Sequence, residues 1–259
     1  MPLFLLLFLG EYTALCFAGA FSFEDGVKLT KARGEAMQAA ADASSSGMVA
    51  VIGLNIDQTN EVCAAATAKT GKPIAIANYL VDGNYAVSGA KEACAAVVEL
   101  APTMGARMAV PLAVAGAFHT SFMEPAVERL KKVLAEVEIK APRLPVISNV
   151  DAKPHYDPNE IRDILAKQVT NPVQWETIIT AMVKAPEFTK VRYHHEHHPT
   201  TTNPHKHHYP TLSMITLIDI YHILSFFLSV KAYELGPGTV CRGIVKRFGK
   251  KIEVVNVQA

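Results

Sequence analysis

The chain has 259 residues, half of them apolar, with a formal net charge of +1 and four cysteines. So large an apolar share is ample for a core, while the near-neutral balance offers no basic field for nucleic acid and no long acidic tail. Cys16, Cys63, Cys94 and Cys241 lie far apart with no C-x-x-C pair, so neither a disulfide framework nor a zinc knuckle is implied, and a reducing compartment fits best.

Residues 1–8 form an apolar run without Lys or Arg and without a clear cleavage site, so they do not read as a targeting sequence. They read instead as a buried strand leading into Leu9-Gly10. Residues 23–41 have helical periodicity, with Lys28, Lys31, Glu35 and Gln38 on one side and Leu29, Ala36, Met37 and Ala40 opposite. Arg33 falls on the apolar side, where a cation wants an anion. On periodicity alone, a structural salt bridge with an Asp or Glu competes with a ligand carboxylate. The serine run within residues 42–47 is a small-residue linker.

Strands are predicted at residues 48–54, 73–80, 84–88 and 107–114, with helices at 57–68 and 90–100. The order is β-α-β-β-α-β, with an Asp82-Gly83 turn between the middle strands, and it predicts a ferredoxin-like subdomain. Next come a helix at 122–137, a strand at 146–150, helices at 159–169 and 173–184, and a strand near Phe188. This alternation argues for a mainly parallel sheet. Gly236-Pro237-Gly238 turns into a helix ending near Phe248, and residues 252–257 close as a strand.

Leu9-Gly10-Glu11-Tyr12 matches the back half of a nucleophile elbow, the strained turn that lifts a serine oxygen into the open. The serine position holds Phe8, which has no lone pair with which to attack a thioester. The fragment is followed in order by Arg33-Gly34, Ala117-Phe118-His119-Thr120, Asn171-Pro172-Val173-Gln174-Trp175 and Glu234-Leu235-Gly236-Pro237-Gly238. Together these resemble the malonyl-CoA:acyl-carrier-protein transacylases, acyltransferases that load malonyl groups for fatty-acid synthesis. The resemblance covers residues 9–192 and again 232–259. Residues 1–8 stand in place of roughly the first quarter of the family's domain.

The resemblance implies an α/β acyltransferase fold, an α/β-hydrolase-like parallel sheet core carrying the inserted ferredoxin-like subdomain. The implied segments are 1–46 and 115–192 for the core, 47–114 for the subdomain, 193–231 for an atypical insertion and 232–259 for the C-terminal part of the core. It also implies malonyl-CoA and acyl carrier protein as substrate and partner, a ping-pong mechanism through a malonyl-serine ester, and no metal or redox cofactor. A monomer is expected, in an aqueous compartment: cytoplasm, plastid stroma or mitochondrial matrix. Neither nucleic acid nor membrane is an expected partner.

Individual roles follow from the same resemblance. His119 stands as general base of a Ser-His pair, although a lone histidine is also a common structural residue. It follows the small-residue run Ala115-Gly116-Ala117 and precedes Ser121-Phe122-Met123-Glu124, a capping-box pattern with Ser121 as N-cap. A helix N-terminus there disfavours imidazolium and keeps the ring neutral. Arg33 binds the free carboxylate of the malonyl group through paired hydrogen bonds. The Gln168 main-chain carbonyl orients the histidine ring, with a water-facing glutamine at a helix end as the competing reading. Leu9 offers one oxyanion N–H, the other coming from an upstream Gly-Gln-Gly segment. Asn78 faces the substrate channel, with Leu80 standing where the family has a second asparagine.

Residues 193–231 differ in character. His194, His195, His197, His198, His205, His207 and His208 precede an apolar run over residues 212–230 that contains Asp219 and His222. The histidines lack zinc-finger spacing, and an Asp near the middle of a membrane span costs about 2.5–3.5 kcal/mol. A His-rich membrane-associated metal protein is therefore the weaker alternative, and a noncatalytic carrier-protein or CoA-binding remnant the stronger one. Splicing residues 193–231 out restores the pattern. The expectation is a retained intron or a comparable gene-model error there, with residues 1–8 of the same origin.

Overall fold

The computed structural model describes residues 8–184, 231–234 and 253–256, with side chains over residues 8–181. The chain divides into two compact units, the larger over residues 3–178. It starts with a short buried helix, α1 (Gly10–Phe17), followed by α2 (Phe23–Asp42). Ser22 precedes α2 in an extended conformation, and its hydroxyl accepts the Asp25 N–H at 3.1 Å. Glu24 and Asp25 in the first turn suit the positive end of the helix dipole. The inward stripe of α2 is Leu29, Arg33, Ala36, Met37, Ala40 and Ala41, so the apolar face read from the sequence is the buried one, Arg33 included.

The βαββαβ segment forms β1 (Ser46–Ile52), α3 (Ile56–Thr70), β2 (Ile74–Val81), β3 (Asn84–Ala90), α4 (Lys91–Thr103) and β4 (Met108–Pro111). Its sheet runs in the order β2, β3, β1, β4 with every neighbouring pair antiparallel. That is the ferredoxin-like arrangement. Residues of α3 and α4 cover one face, burying Val49, Val51, Val62, Ile76, Tyr85, Val87 and Val97. The other face presents Met48, Ala77 and Ala86 to Val114 and Phe118, just before His119. The expected turn is present, with Gly83 at φ +75°. β4 stops earlier than predicted because the Val114 N–H turns back to the Leu112 carbonyl at 2.9 Å and leaves the sheet edge.

Beyond the subdomain, a 3₁₀ turn (Ser121–Met123) leads into α5 (Glu124–Ala135), and α6 (Pro158–Lys167) and α7 (Trp175–Lys184) follow. Thr120, not Ser121, is the N-cap. It adopts the extended conformation and accepts from the Phe122 N–H, whereas Ser121 already lies within the 3₁₀ turn. Asp157 caps α6 by accepting from Asn159 and Glu160 N–H at 2.8 and 3.0 Å. Helices α1, α2, α5 and α6 enclose a second core around Tyr12, Leu15, Leu29, Leu130, Leu134 and Leu165.

The elements assigned to the parallel sheet fall differently. Residues 146–150 make only an isolated bridge, Ile147 with Pro154, instead of a strand. The backbone groups there are engaged elsewhere: Ser148 N–H bonds the Lys153 carbonyl, Ala152 N–H bonds the Ser148 carbonyl, and Asn149 N–H bonds the Glu11 carboxyl. In the smaller unit β5 (Lys231–Glu234) and β6 (Glu253–Asn256) pair in parallel, β6 lying within the span 252–257 expected for the last strand. The strand expected over residues 1–8 lies outside the described residues except for Phe8, which is in a turn, and the insertion expected at 193–231 except for Lys231, the first residue of β5; the strand near Phe188 and the helix ending near Phe248 lie outside them altogether.

Candidate active site

The turn before α1 has a strained backbone of the kind an elbow requires. Phe8 occupies the serine position with φ +54°, a conformation a non-glycine residue adopts only under constraint. Its N–H donates to Asn149 Oδ1 at 3.0 Å, and its carbonyl accepts from Glu11 N–H at 3.1 Å and Gln168 Nε2 at 3.2 Å. Leu9 follows as the N-cap of α1, where the first N–H groups have no acceptor within the helix. The Phe8 ring stacks on the His119 ring, centroids 5.2 Å apart and planes 28° from parallel. Phenylalanine fills the space between elbow and histidine.

His119 is held from several directions. It has φ +60°, and its N–H donates to the Val169 carbonyl at 3.0 Å. Gly116, three residues before it, lies so close to α2 that a Cβ there would come within 2.7 Å of the Ala41 Cβ. The loop needs glycine to pack there. The Ala117 N–H donates to Ser46 Oγ at 3.0 Å, which anchors the same loop to β1. The ring is 5% exposed, and its Nδ1 lies 2.8 Å from the Gln168 carbonyl oxygen. A carbonyl only accepts, so Nδ1 carries the proton and Nε2 is left as the basic nitrogen.

Burial holds the His119 pKa down to about 4, and the positive charge of Arg33 pushes the same way. The carbonyls of Gln168 and Asn171 oppose this but do not prevail. The imidazole is therefore neutral near pH 7, as expected, although the main cause is desolvation and not a helix N-terminus.

Arg33 is 8% exposed, and its Nε is buried without a hydrogen-bond partner. Its Cζ sits 5.8 Å from the Tyr12 ring centroid, a cation–π contact that eases burial of the charge. No carboxylate pairs with it among the described residues, so the structural salt bridge does not form there. Arg33 thus lies within electrostatic reach of His119, on whose ring Phe8 stacks.

Gln168 caps α6 and is 1% exposed, so it does not face water. Asn78 lies on β2 at a bulge, 7% exposed, with a buried Oδ1 that has no partner. It forms a parallel bridge with Val173, whose N–H donates to the Ala77 carbonyl at 2.8 Å and whose carbonyl accepts the Tyr79 N–H at 2.9 Å. Residues 169–173 thereby run from the His119 backbone to Asn78. The structure brings Phe8, His119 and Gln168 into contact and Arg33 into electrostatic reach, with Asn78 joined through that run.

Three residues of the site had no individual role in the sequence reading, although two of them stand in the elbow motif: Glu11, Tyr12 and Asn149. The buried Glu11 had a signal, being an acid on an otherwise apolar helix; Asn149 had none, because its role is fixed by a loop that no periodicity describes. Among the described residues no group of three His, Cys, Asp or Glu side chains is placed to hold a metal. Nor is any helix among them long and apolar enough to cross a membrane.

Residues 8–214 match the acyl transferase domain model, a span that runs into the segment set apart at 193–231. The malonyl CoA-acyl carrier protein transacylase of Bacillus subtilis is 31% identical over 249 residues, 96% of this chain and 65% of that protein. The solved structure of the malonyl CoA-acyl carrier protein transacylase from Coxiella burnetii superposes with a TM-score of 0.77 at 29% identity, covering 98% of this chain and 66% of that one. A malonyl-transacylase solved in complex with its type II polyketide acyl-carrier protein gives a TM-score of 0.73 at 26% identity, covering 95% and 66%. The chain thus spans just under two thirds of the length of these relatives. With an α/β fold shared over nearly all its length and a domain match over most of it, the chain belongs to the acyl transferase domain family.

Proposed function

We propose that the site is that of an acyl-carrier-protein S-malonyltransferase of fatty-acid biosynthesis, built to take the malonyl group of malonyl-CoA and pass it to acyl carrier protein. The observation that carries this reading is the buried Arg33, whose Nε has no partner and whose charge reaches His119. A guanidinium taken out of water is costly unless an anion meets it. A thioester whose acyl chain ends in a carboxylate supplies that anion and places its carbonyl toward the elbow. No metal or redox group is needed, because acyl transfer asks only for a nucleophile, a base and oxyanion donors. An aqueous compartment, either cytoplasm or an organelle stroma or matrix, fits such substrates.

In this chemistry a serine oxygen at the elbow attacks the thioester carbon while histidine takes its proton. The C–S bond breaks and the proton passes to the departing CoA sulfur. The thiol of acyl carrier protein then attacks the ester with histidine as base, and the serine regains its proton. Here Nε2 of His119 is the basic nitrogen and takes the role of that base, Gln168 holds the ring and Leu9 N–H serves one side of the oxyanion. The nucleophile is missing because Phe8 stands in its place, so the chain binds the substrate without forming the ester. A noncatalytic malonyl-CoA or carrier-protein binder is the reading that the Phe8–His119 stack favours for this sequence.

Phe8→Ser removes the ring from His119 and places a hydroxyl on an elbow of the right backbone shape. Incubation with radiolabelled malonyl-CoA is expected to leave a hydroxylamine-labile adduct on the variant and none on the parent chain. A folded Phe8→Ser protein that takes no label sinks the assignment.

A further inference from the structure

Glu11 is 2% exposed on a helix whose neighbouring buried residues, Gly10, Tyr12, Ala14 and Leu15, are neither acidic nor basic. A carboxyl in such surroundings is costly unless its oxygens are bonded. Its Oε2 accepts two hydrogen bonds, from the Asn149 N–H at 2.8 Å and from Gln168 Nε2 at 2.8 Å. Both partners reach the elbow. Asn149 Oδ1 accepts the Phe8 N–H, and Gln168 Nε2 also donates to the Phe8 carbonyl. Gln168 in turn presents its main-chain oxygen to His119 Nδ1. One carboxyl oxygen therefore joins the elbow to the residue that orients the histidine.

We propose that Glu11 is a positioning residue: by anchoring the Gln168 amide and the Asn149 main chain, it fixes the Gln168 carbonyl and so decides which ring nitrogen of His119 carries the proton. For the reaction served, this rests on the malonyl-transfer reading. Without the anchor, the Gln168 side chain keeps only its longer bond to Phe8, and the carbonyl at the end of α6 is free to shift. The ring then samples both tautomers, and Nε2 is no longer held as the acceptor. Burial pushes the Glu11 carboxyl up, toward the neutral acid, and a neutral carboxyl still accepts both bonds at Oε2.

Nitrogen NMR of imidazole-labelled protein, without substrate, tests this. The parent chain and Glu11→Gln, whose amide oxygen accepts the same two donors, are expected to show one His119 tautomer with Nδ1 protonated. Glu11→Leu is expected to lose that single signature for a mixture of tautomers. Gln168→Leu keeps the carbonyl but deletes the amide, so it reproduces the change, and the double variant adds nothing to it. This second variant carries the test alone if Glu11→Leu does not fold. Failure of Phe8→Ser to accept malonyl would sink the proposed function and leave these spectra as they are, so the two ideas fail separately. A folded leucine variant at either position with an unaltered His119 spectrum overturns the positioning role.

Discussion

The ferredoxin-like subdomain and the site beside it are held together by different kinds of bond. In the subdomain, β1 pairs with β3 over seven consecutive residues, and two helices lie on one face of the sheet. Each residue there is fixed by repetition, and a local change is shared among many equivalent neighbours. In the site, Phe8, Glu11, His119, Asn149 and Gln168 come from the elbow turn, a helix, two loops and a helix end, and single hydrogen bonds join them. Nothing repeats there. The subdomain is therefore expected to be tolerant and cooperative, and the site sensitive to each bond and to protonation.

The sharpest test of that contrast is pH. His119 titrates near 4 in the folded chain against an ordinary value of 6.5. As pH falls, the unfolded chain takes up this proton first. The stability tied to the neutral ring is thus complete above pH 6.5 and is lost between 6.5 and 4, up to about 3 kcal/mol. Glu11 acts with the opposite sign: its raised carboxyl contributes fully below 4.5 and less as pH climbs through the folded value. Urea melts of the parent chain and of His119→Gln separate the two, since only the histidine is removed. The parent should lose stability relative to the variant as pH drops from 6.5 to 4; parallel curves would mean the ring is solvated and the site is not closed.

Arg33→Ala probes the same region with a smaller expected effect. If the buried guanidinium awaits a carboxylate, the parent chain should bind malonyl-CoA more tightly than acetyl-CoA by about 10- to 100-fold, the range of charge-assisted hydrogen bonds. Calorimetry on both ligands should show that gap closing in the variant through loss of malonyl-CoA affinity alone. Equal affinities in the parent would leave Arg33 as a structural cation held by Tyr12.

The sequence made the subdomain legible because strands and helices announce themselves by period, and a β-hairpin by Asp82-Gly83. The burial of Arg33 was legible for the same reason, since residue 33 falls in the stripe of Leu29, Ala36, Met37 and Ala40. His119 and Gln168 were legible only through motif resemblance, and their 2.8 Å contact joins residues 49 apart in the chain. The strand expected at 146–150 failed for an instructive reason. Its apolar residues Val146 and Ile147 are buried as a strand's would be, but the Asn149 N–H is captured by Glu11, a partner that lies 138 residues away. Hydrophobic pattern records burial; it does not record which acceptor a loop N–H finds.

Val87→Ala cuts into the repetitive region and should have the smallest consequence. Val87 is fully buried between the sheet and its helices, and removing two carbons at about 0.8 kcal/mol each predicts a loss of roughly 1.5–2 kcal/mol with a modest cavity contribution. The loss should appear as a lower urea midpoint at unchanged slope, because the strand keeps its backbone ladder. The His119 titration should not move, since Val87 points to the helix-covered face while Met48, Ala77 and Ala86 form the face turned toward the histidine loop. A shifted His119 titration in this variant would show that strain crosses the sheet. The helix-covered face would then be coupled to the site, as the opposite face already is through Asn78 on β2 and Ser46 on β1.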